Sequence, residues 1–259
     1  MEASISVRGL YKKYVDNYAL NDLNLDVEPG KIFGVLGPNG SGKTTLLKII
    51  SALLERTSGS VSVRGLDPSK HKDQVKKLVG YVPEVPTMYE SLSPGEFFSF
   101  VATVRNIEES LVEERINSMV RALGISDSID SFIGSLSFGT RQKVAIIASL
   151  LHDPEIIVMD EGMNGLDPRS AKILKELMRS FAERGKTVIF STHIMDVAES
   201  VCDTVAILYK GRIVSTGTMD KLKERSGKSS SNLEEIFLKL TGNEDLDPLI
   251  HSLKESFRS

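Results

Sequence analysis

The chain has a single cysteine, no long apolar run, no excess of basic charge and no low-complexity bulk, and each absence closes off a class of protein. One thiol, Cys202, cannot form an intrachain disulfide, so no disulfide framework is encoded and a reducing compartment fits. Cys202 itself reads as a small buried hydrophobe. The longest apolar stretch, Val144 to Leu151, is broken by Ser149 and falls far short of the ~20 residues that span a bilayer. A net charge of -3 supplies no broad basic field, so nucleic acid is not an expected partner. Met1-Glu2-Ala3-Ser4 lacks the basic residues and apolar block of a secretory signal, which makes the cytoplasm the expected location. No repeat of fixed period is present, which argues against solenoids and propellers. What remains is a globular composition, 259 residues at 41% hydrophobic and 26% charged, enough for one large α/β domain or two small ones.

Hydrophobic patterning separates two kinds of strand. Ile5-Ser6-Val7 and Leu23-Asn24-Leu25-Asp26-Val27 alternate, as half-buried antiparallel strands do. Ile32 to Leu36, Ile156 to Met159 and Thr187 to Phe190 are short and continuously apolar, the pattern of strands covered on both faces in a parallel sheet. A doubly wound α/β core is therefore expected. From about Ser91 to Ser135 the pattern turns helical. Ser93-Pro94-Gly95-Glu96 is a capping box with proline at the first helical position. Val112, Ile116, Met119, Val120 and Leu123 then share one helical face, and Gly124 follows as a C-cap. This implies a helical subdomain over about residues 91–140, inserted in a main domain over residues 1–220. Residues 221–259 read as a C-terminal appendage: a flexible linker, Ser226 to Ser231, and a short amphipathic helix from Leu233 to Leu240.

Gly37-Pro38-Asn39-Gly40-Ser41-Gly42-Lys43-Thr44 has the form G-x-x-x-x-G-K-[ST], and it lies between the strand Ile32 to Leu36 and a helical run, Leu46 to Leu54. Glycines let successive backbone N–H groups wrap phosphates without Cβ interference at the positive end of a helix. Lys43 adds a full charge toward the β and γ phosphates. The Thr44 hydroxyl suits a Mg²⁺ ion bridging the same phosphates, and Thr45 extends the candidate nucleotide contacts. A nucleoside triphosphate is the implied ligand.

The strand ending Met159-Asp160-Glu161 puts two acids where open α/β sheets place their ligands. Asp160 is a candidate Mg²⁺ partner, direct or through water. Glu161, pointing the other way, is a candidate general base for the water that attacks the γ phosphate. A strand followed by Asp-Glu is common, and by itself reads as a solvated loop pair; the phosphate loop shifts the balance. His193, after Thr192, would by itself more often be a structural hydrogen-bond partner, but its place behind a third central strand favours the γ phosphate.

Leu136-Ser137-Phe138-Gly139-Thr140-Arg141-Gln142 resembles the signature segment of the ATP-binding cassette (ABC) ATPase family. In order, the chain also shows the phosphate loop, Tyr81-Val82-Pro83-Glu84, the acidic pair, Gly165-Leu166-Asp167-Pro168 and Ser191-Thr192-His193. The resemblance covers Ile5 to about Gly217. It implies a P-loop NTPase fold with a mainly parallel core sheet, an antiparallel β subdomain and an inserted helical subdomain. It implies ATP and Mg²⁺ as cofactors, and two cassettes face to face, with Ser137 and Gly139 on the γ phosphate of ATP held by the partner and Gly165 to Pro168 along the seam. Separate membrane-spanning permease subunits would be moved through the segment after Glu84, placing the chain peripherally on the cytoplasmic face of the cell membrane. Tyr14 matches the aromatic that stacks on adenine, with Tyr11 and Tyr18 close enough to compete. The tail from Asn232 to Gly242 resembles the C-terminal helix of exporter-type cassettes of the multidrug and antibiotic-efflux branch, which favours export.

The departures are specific. Phe138 and Thr140 stand where the commonest signature has Gly and Gln, and Gly162 replaces the usual proline after the acidic pair. Glu84 stands where the family has a glutamine that reaches Mg²⁺ and the attacking water. A second negative charge ~4 Å from the γ phosphate costs about 4 kcal/mol at an effective dielectric near 20, offset if Glu84 binds metal or a proton. Arg141 and Gln142 read as helix-surface groups near the interface, without chemistry. Rival readings are a soluble ABC ATPase without membrane partners and an ATP-binding regulatory module. The short spacing from Lys43 to Asp160 leaves no room for a coiled-coil arm, and Glu161 argues against an inert module.

Overall fold

The computed structural model describes residues 3–226, 233–241 and 256–257. The chain begins with β1 (Ile5–Tyr14) and β2 (Asn17–Val27), which alternate buried and exposed positions and pair antiparallel with Ile5 opposite Val27. With β4 (Ser58–Val63) they form a three-stranded antiparallel sheet, order β2-β1-β4.

The larger sheet takes the continuously apolar runs. β3 (Ile32–Leu36), β5 (Val79–Val82), β6 (Ile156–Asp160), β7 (Thr187–Thr192) and β8 (Thr204–Tyr209) are all parallel, and β9 (Arg212–Gly217) closes the edge antiparallel to β8. The order is β5-β6-β7-β3-β8-β9. Every residue of β3, β6 and β7 is buried because both faces are covered. Ile32, Leu36, Ile157, Met159, Val188 and Phe190 join one core, while Phe33, Val35, Ile156, Val158 and Ile189 join the other, which also takes the inward residues of β1 and β2. Removing such a side chain from water contributes about 1.5–3 kcal/mol. The apolar runs Ile156 to Met159 and Thr187 to Phe190 make up most of β6 and β7, which end at Asp160 and Thr192.

α1 (Lys43–Ile50) starts at the lysine of the phosphate loop and ends earlier than the run to Leu54 suggested: the chain leaves the helix at Ser51, and Ala52 adopts a left-handed φ of 56°. α2 (Lys72–Leu78) precedes β5. Between β5 and the signature lie α3 (Pro94–Arg105) and α4 (Glu109–Leu123). The α3 capping box is complete, with Glu96 N donating to Ser93 Oγ at 3.2 Å and Ser93 N donating to Glu96 Oε2 at 2.8 Å. Gly124 caps α4 at φ 66°. α5 (Phe138–Leu150), α6 (Pro168–Glu183), α7 (Met195–Val201) and α8 (Met219–Ser226) follow. α9 (Leu233–Thr241) buries Leu233 and Ile236 and sets the Phe237 ring edge-on to Tyr209 at 6.3 Å. Of the expected linker, Ser226 ends α8 and residues 227–231 lie outside the described residues. No helix among the described residues is long and apolar enough to cross a membrane. Cys202 packs buried against Gly34, and burial pushes its thiol up to about 12.

Candidate functional site

Three strands that are neighbours in the sheet, β6, β7 and β3, end at one rim, the place where open α/β sheets bind ligands. β3 runs into the phosphate loop, β6 ends in Asp160 and Glu161, and β7 leads to His193. A cleft of about 410 Å³ opens there, lined by the loop from Asn39 to Thr45, by Glu84 and Glu161, and by Ala19.

Gly42, the N-cap of α1, has φ 109° and ψ 5°, and a Cβ on it would sit 2.5 Å from the Ala19 carbonyl oxygen. Only glycine fits there, and the fit turns the first N–H groups of α1 toward the cleft, where the helix dipole favours an anion. Lys43 is nearly buried. Its Nζ donates to the carbonyls of Gly37 at 2.8 Å and Pro38 at 3.3 Å, and lies 3.3 Å from Glu161 Oε1. The lysine thus points its charge along the inside of the loop rather than into solvent.

Glu161 is 3% exposed and holds a left-handed φ of 51°, a conformation that a non-glycine residue keeps only when its surroundings enforce it. Here Ser191 does the enforcing: Glu161 N donates to its carbonyl at 3.2 Å and to its Oγ at 3.1 Å. Glu161 Oε2 lies 3.0 Å from His193 Nδ1. Lys43, Glu161 and His193 therefore form one chain of contacts across the ends of the three strands. Asp160 is wholly buried beside them, accepting from Ser191 Oγ at 2.8 Å and Tyr81 Oη at 3.3 Å. Burial, then the Asp160 charge, pushes the Tyr81 phenol far above its usual value, so it stays a donor. Ser191 and Tyr81 stood in the sequence only as members of two family segments, without a role of their own; their hydroxyls in otherwise apolar strands were the available signal.

Ser137 and Gly139 do not line this cleft. Ser137 is the exposed N-cap of α5, its Oγ accepting from Thr140 N at 3.2 Å. Gly139 abuts the segment after β6 so closely that a Cβ would lie 2.4 Å from the Gly165 carbonyl oxygen. Phe138 lies over Gly165, and Lys143 Nζ pairs with Asp167 Oδ2 at 2.7 Å. The hydrogen bond from Lys143, then those from Ser170, hold the Asp167 carboxyl well below the usual carboxylate range, and Asp167 N-caps α6. Tyr14 is also outside the cleft lining, half exposed at the end of β1 with Lys12 Nζ 5.0 Å from its ring centroid. Pro38 and Asn39 border a second cavity of about 520 Å³ with His193 and the first residues of α7 on one side and Glu234, Phe237 and Leu238 of α9 on the other.

One expectation is corrected. Gln142 is not a helix-surface group: it is 0% exposed, and Nε2 reaches the Gly162 carbonyl at 3.3 Å and the Pro83 carbonyl at 3.4 Å. The turns that follow β5 and β6 cover this part of α5. Arg141 is half-buried, 3.9 Å from Glu90 Oε1.

The profile of the ABC transporter family matches residues 20–164, and one for an AAA domain matches residues 132–198. The ABC transporter ATP-binding protein NatA of Bacillus subtilis (strain 168) is 34% identical over 221 residues, covering 85% of this chain and 89% of NatA. The lantibiotic transport ATP-binding protein SrtF of Streptococcus pyogenes is 31% identical over 90% of this chain and 95% of its own length. A solved structure of an ATP-binding subunit of an ABC transporter superposes with a TM-score of 0.87 at 31% identity, covering 92% of this chain and 99% of that one. With the phosphate loop at the end of β3, the acidic pair at the end of β6 and these relatives, ATP-binding subunits that span most of the sequence, the chain belongs to the ABC transporter family.

Proposed function

We propose that two such cassettes close face to face around ATP, that Glu161 acts as the general base of hydrolysis, and that the cycle drives separate membrane-spanning subunits, in the direction of export. The single observation that carries this is the contact chain Lys43–Glu161–His193 at the mouth of the phosphate loop. Backbone N–H groups at the start of α1 and the Lys43 ammonium hold the β and γ phosphates. Phosphate oxygens compete with Glu161 for Lys43, and the carboxylate so released accepts the proton of the attacking water. His193, on the other carboxylate oxygen, fixes the direction of that acceptor and reaches the γ phosphate.

The residues present suit Mg²⁺. Asp160 is a fully buried carboxylate that no cation pairs with among the described residues, and Thr44 offers a hydroxyl in the cleft. One carboxylate and one hydroxyl, completed by phosphate oxygens, is a donor set this ion accepts. When bound, the ion neutralises charge on the β and γ phosphates. Glu84 lines the same cleft and tunes turnover, since its negative charge beside the phosphates is favourable only next to a cation.

Ser137 and Gly139, at an exposed helix start outside their own chain's cleft, suit a phosphate presented by a second cassette. The segment after Glu84 supports docking to a membrane partner: Val85, Tyr89, Phe100 and Val104 are exposed apolar side chains, and the Tyr89 and Phe100 rings meet edge-on at 5.6 Å. SrtF is a lantibiotic transport protein, which agrees with the export direction drawn from the tail.

The test is Glu161→Gln. Turnover at saturating Mg-ATP falls at least ~100-fold with ATP affinity within a few-fold of the parent; turnover above a tenth of the parent contradicts the general-base reading. Glu84→Gln shifts the Mg²⁺ dependence and rate of hydrolysis, and unchanged values of both remove Glu84 from the reaction.

A further inference from the structure

We infer that Gln142 is a positioning residue for hydrolysis, linking the start of the signature helix to the two turns that carry Glu84 and Glu161. The inference rests on the reading of Glu161 and Glu84 as groups of the reaction. Gln142 lies in the second turn of α5, five residues beyond Ser137, and its side-chain amide is completely buried. Burying an amide is unfavourable unless it is hydrogen-bonded, and this one is only half satisfied: Oε1 is buried without a hydrogen-bond partner. A merely space-filling position would be better occupied by leucine or methionine. The donor end is the end in use, because both neighbours are carbonyl oxygens, that of Gly162 at 3.3 Å and that of Pro83 at 3.4 Å.

Those two carbonyls are next to the groups that matter. Pro83 immediately precedes Glu84, and Gly162 immediately follows Glu161. β5 and β6 are paired up to Val82 opposite Met159, after which their chains leave the ladder. Beyond that point Gln142 bridges the two outgoing segments, clamping each to the same helix. The start of that helix is itself fixed to the segment after Glu161 by the Gly139–Gly165 contact and the Lys143–Asp167 pair. Between Ser137 and Gln142 the helix advances by ~7.5 Å as one hydrogen-bonded rod. A shift of the helix start as it meets the partner's nucleotide therefore reaches the Pro83 and Gly162 carbonyls of its own chain. Gln142 thereby ties the placement of Glu84 and Glu161 in one site to capture of ATP in the other.

The experiment compares Gln142→Met, which fills the space without a donor, and Gln142→Glu with the parent, with Glu161→Gln as reference. Gln142→Met lowers kcat at least ~10-fold while the affinity for ATP stays within about 3-fold and the thermal midpoint is unchanged or raised, a split that loss of a structural bond alone does not produce. Gln142→Glu has a donor only when its carboxyl is protonated, so its kcat relative to the parent rises as the pH is lowered. Folded Gln142→Met with more than half the parental kcat overturns the inference. Should that variant not fold, a Gln142→Glu to parent ratio that is flat with pH overturns it instead. Turnover retained by Glu161→Gln would refute the general-base reading, a result distinct from either.

Discussion

Replacing Gly42 by alanine puts a methyl group where the structure has least room for one. At φ 109° an L-residue lies beyond the left-handed well, and even within that well the cost is about 1–2 kcal/mol. The new Cβ would lie 2.5 Å from the Ala19 carbonyl oxygen and 2.9 Å from Leu20 Cδ2. Ala19 cannot simply retreat, because the Gly211 backbone also packs on it and Asn21 N donates to the Gly211 carbonyl at 2.9 Å. Relief comes from moving the first turn of α1 by several tenths of an ångström, which misaligns the N–H groups that face the phosphates. Strain and overpacking together are worth about 2–4 kcal/mol, or roughly 30- to 1000-fold in nucleotide affinity. Gly40→Ala is the matched control: its φ is 78°, but nothing lies within 4 Å of the added Cβ, so only the strain of about 1–2 kcal/mol applies. Titration of each variant with a fluorescent ATP analogue, beside thermal unfolding, gives the comparison. Equal affinities for Gly42→Ala and Gly40→Ala would show that close approach to Ala19 does not shape the phosphate loop.

Gly139→Ala drives a Cβ to 2.4 Å from the Gly165 carbonyl, so the segment after Glu161 must shift. ATPase assays should show turnover falling ~10- to 100-fold with the intrinsic affinity of the phosphate loop for nucleotide nearly preserved; a parental rate would refute the packing argument. His152 is held neutral mainly by burial, with its pKa lowered to about 4 and Nε2 on the Val79 carbonyl at 3.2 Å. Between pH 6.5 and 4 the unfolded chain therefore binds the extra proton, and stability falls on acidification across that window by on the order of 1–3 kcal/mol. Denaturant titrations of His152→Gln, which keeps a donor but does not titrate, should show a shallower loss over the same window.

The core strands were legible because both faces of the parallel sheet are covered and the runs are uninterrupted, as in Ile156 to Met159. The caps at Ser93 and Gly124 were legible for a local reason: their partners lie within a few residues. The end of α1 was not, because apolar side chains continue through Leu53 and Leu54 after the backbone has turned at Ala52. Gln142 was misread because it lies in the polar run Thr140-Arg141-Gln142-Lys143, where helical periodicity gives no sign that turns from two distant strands cover a single position. Ser191 was missed for the same reason of range: its partners, Asp160 and Glu161, are some thirty residues away in sequence.

Sedimentation velocity of Glu161→Gln with and without Mg-ATP tests most directly whether a second cassette completes the site. The account predicts monomers without nucleotide, dimers with it, and loss of those dimers when Ser137→Glu is added, because a carboxylate then faces the partner's phosphate while each chain still binds ATP. Monomers throughout at high protein concentration, or dimers indifferent to Ser137→Glu, would contradict it.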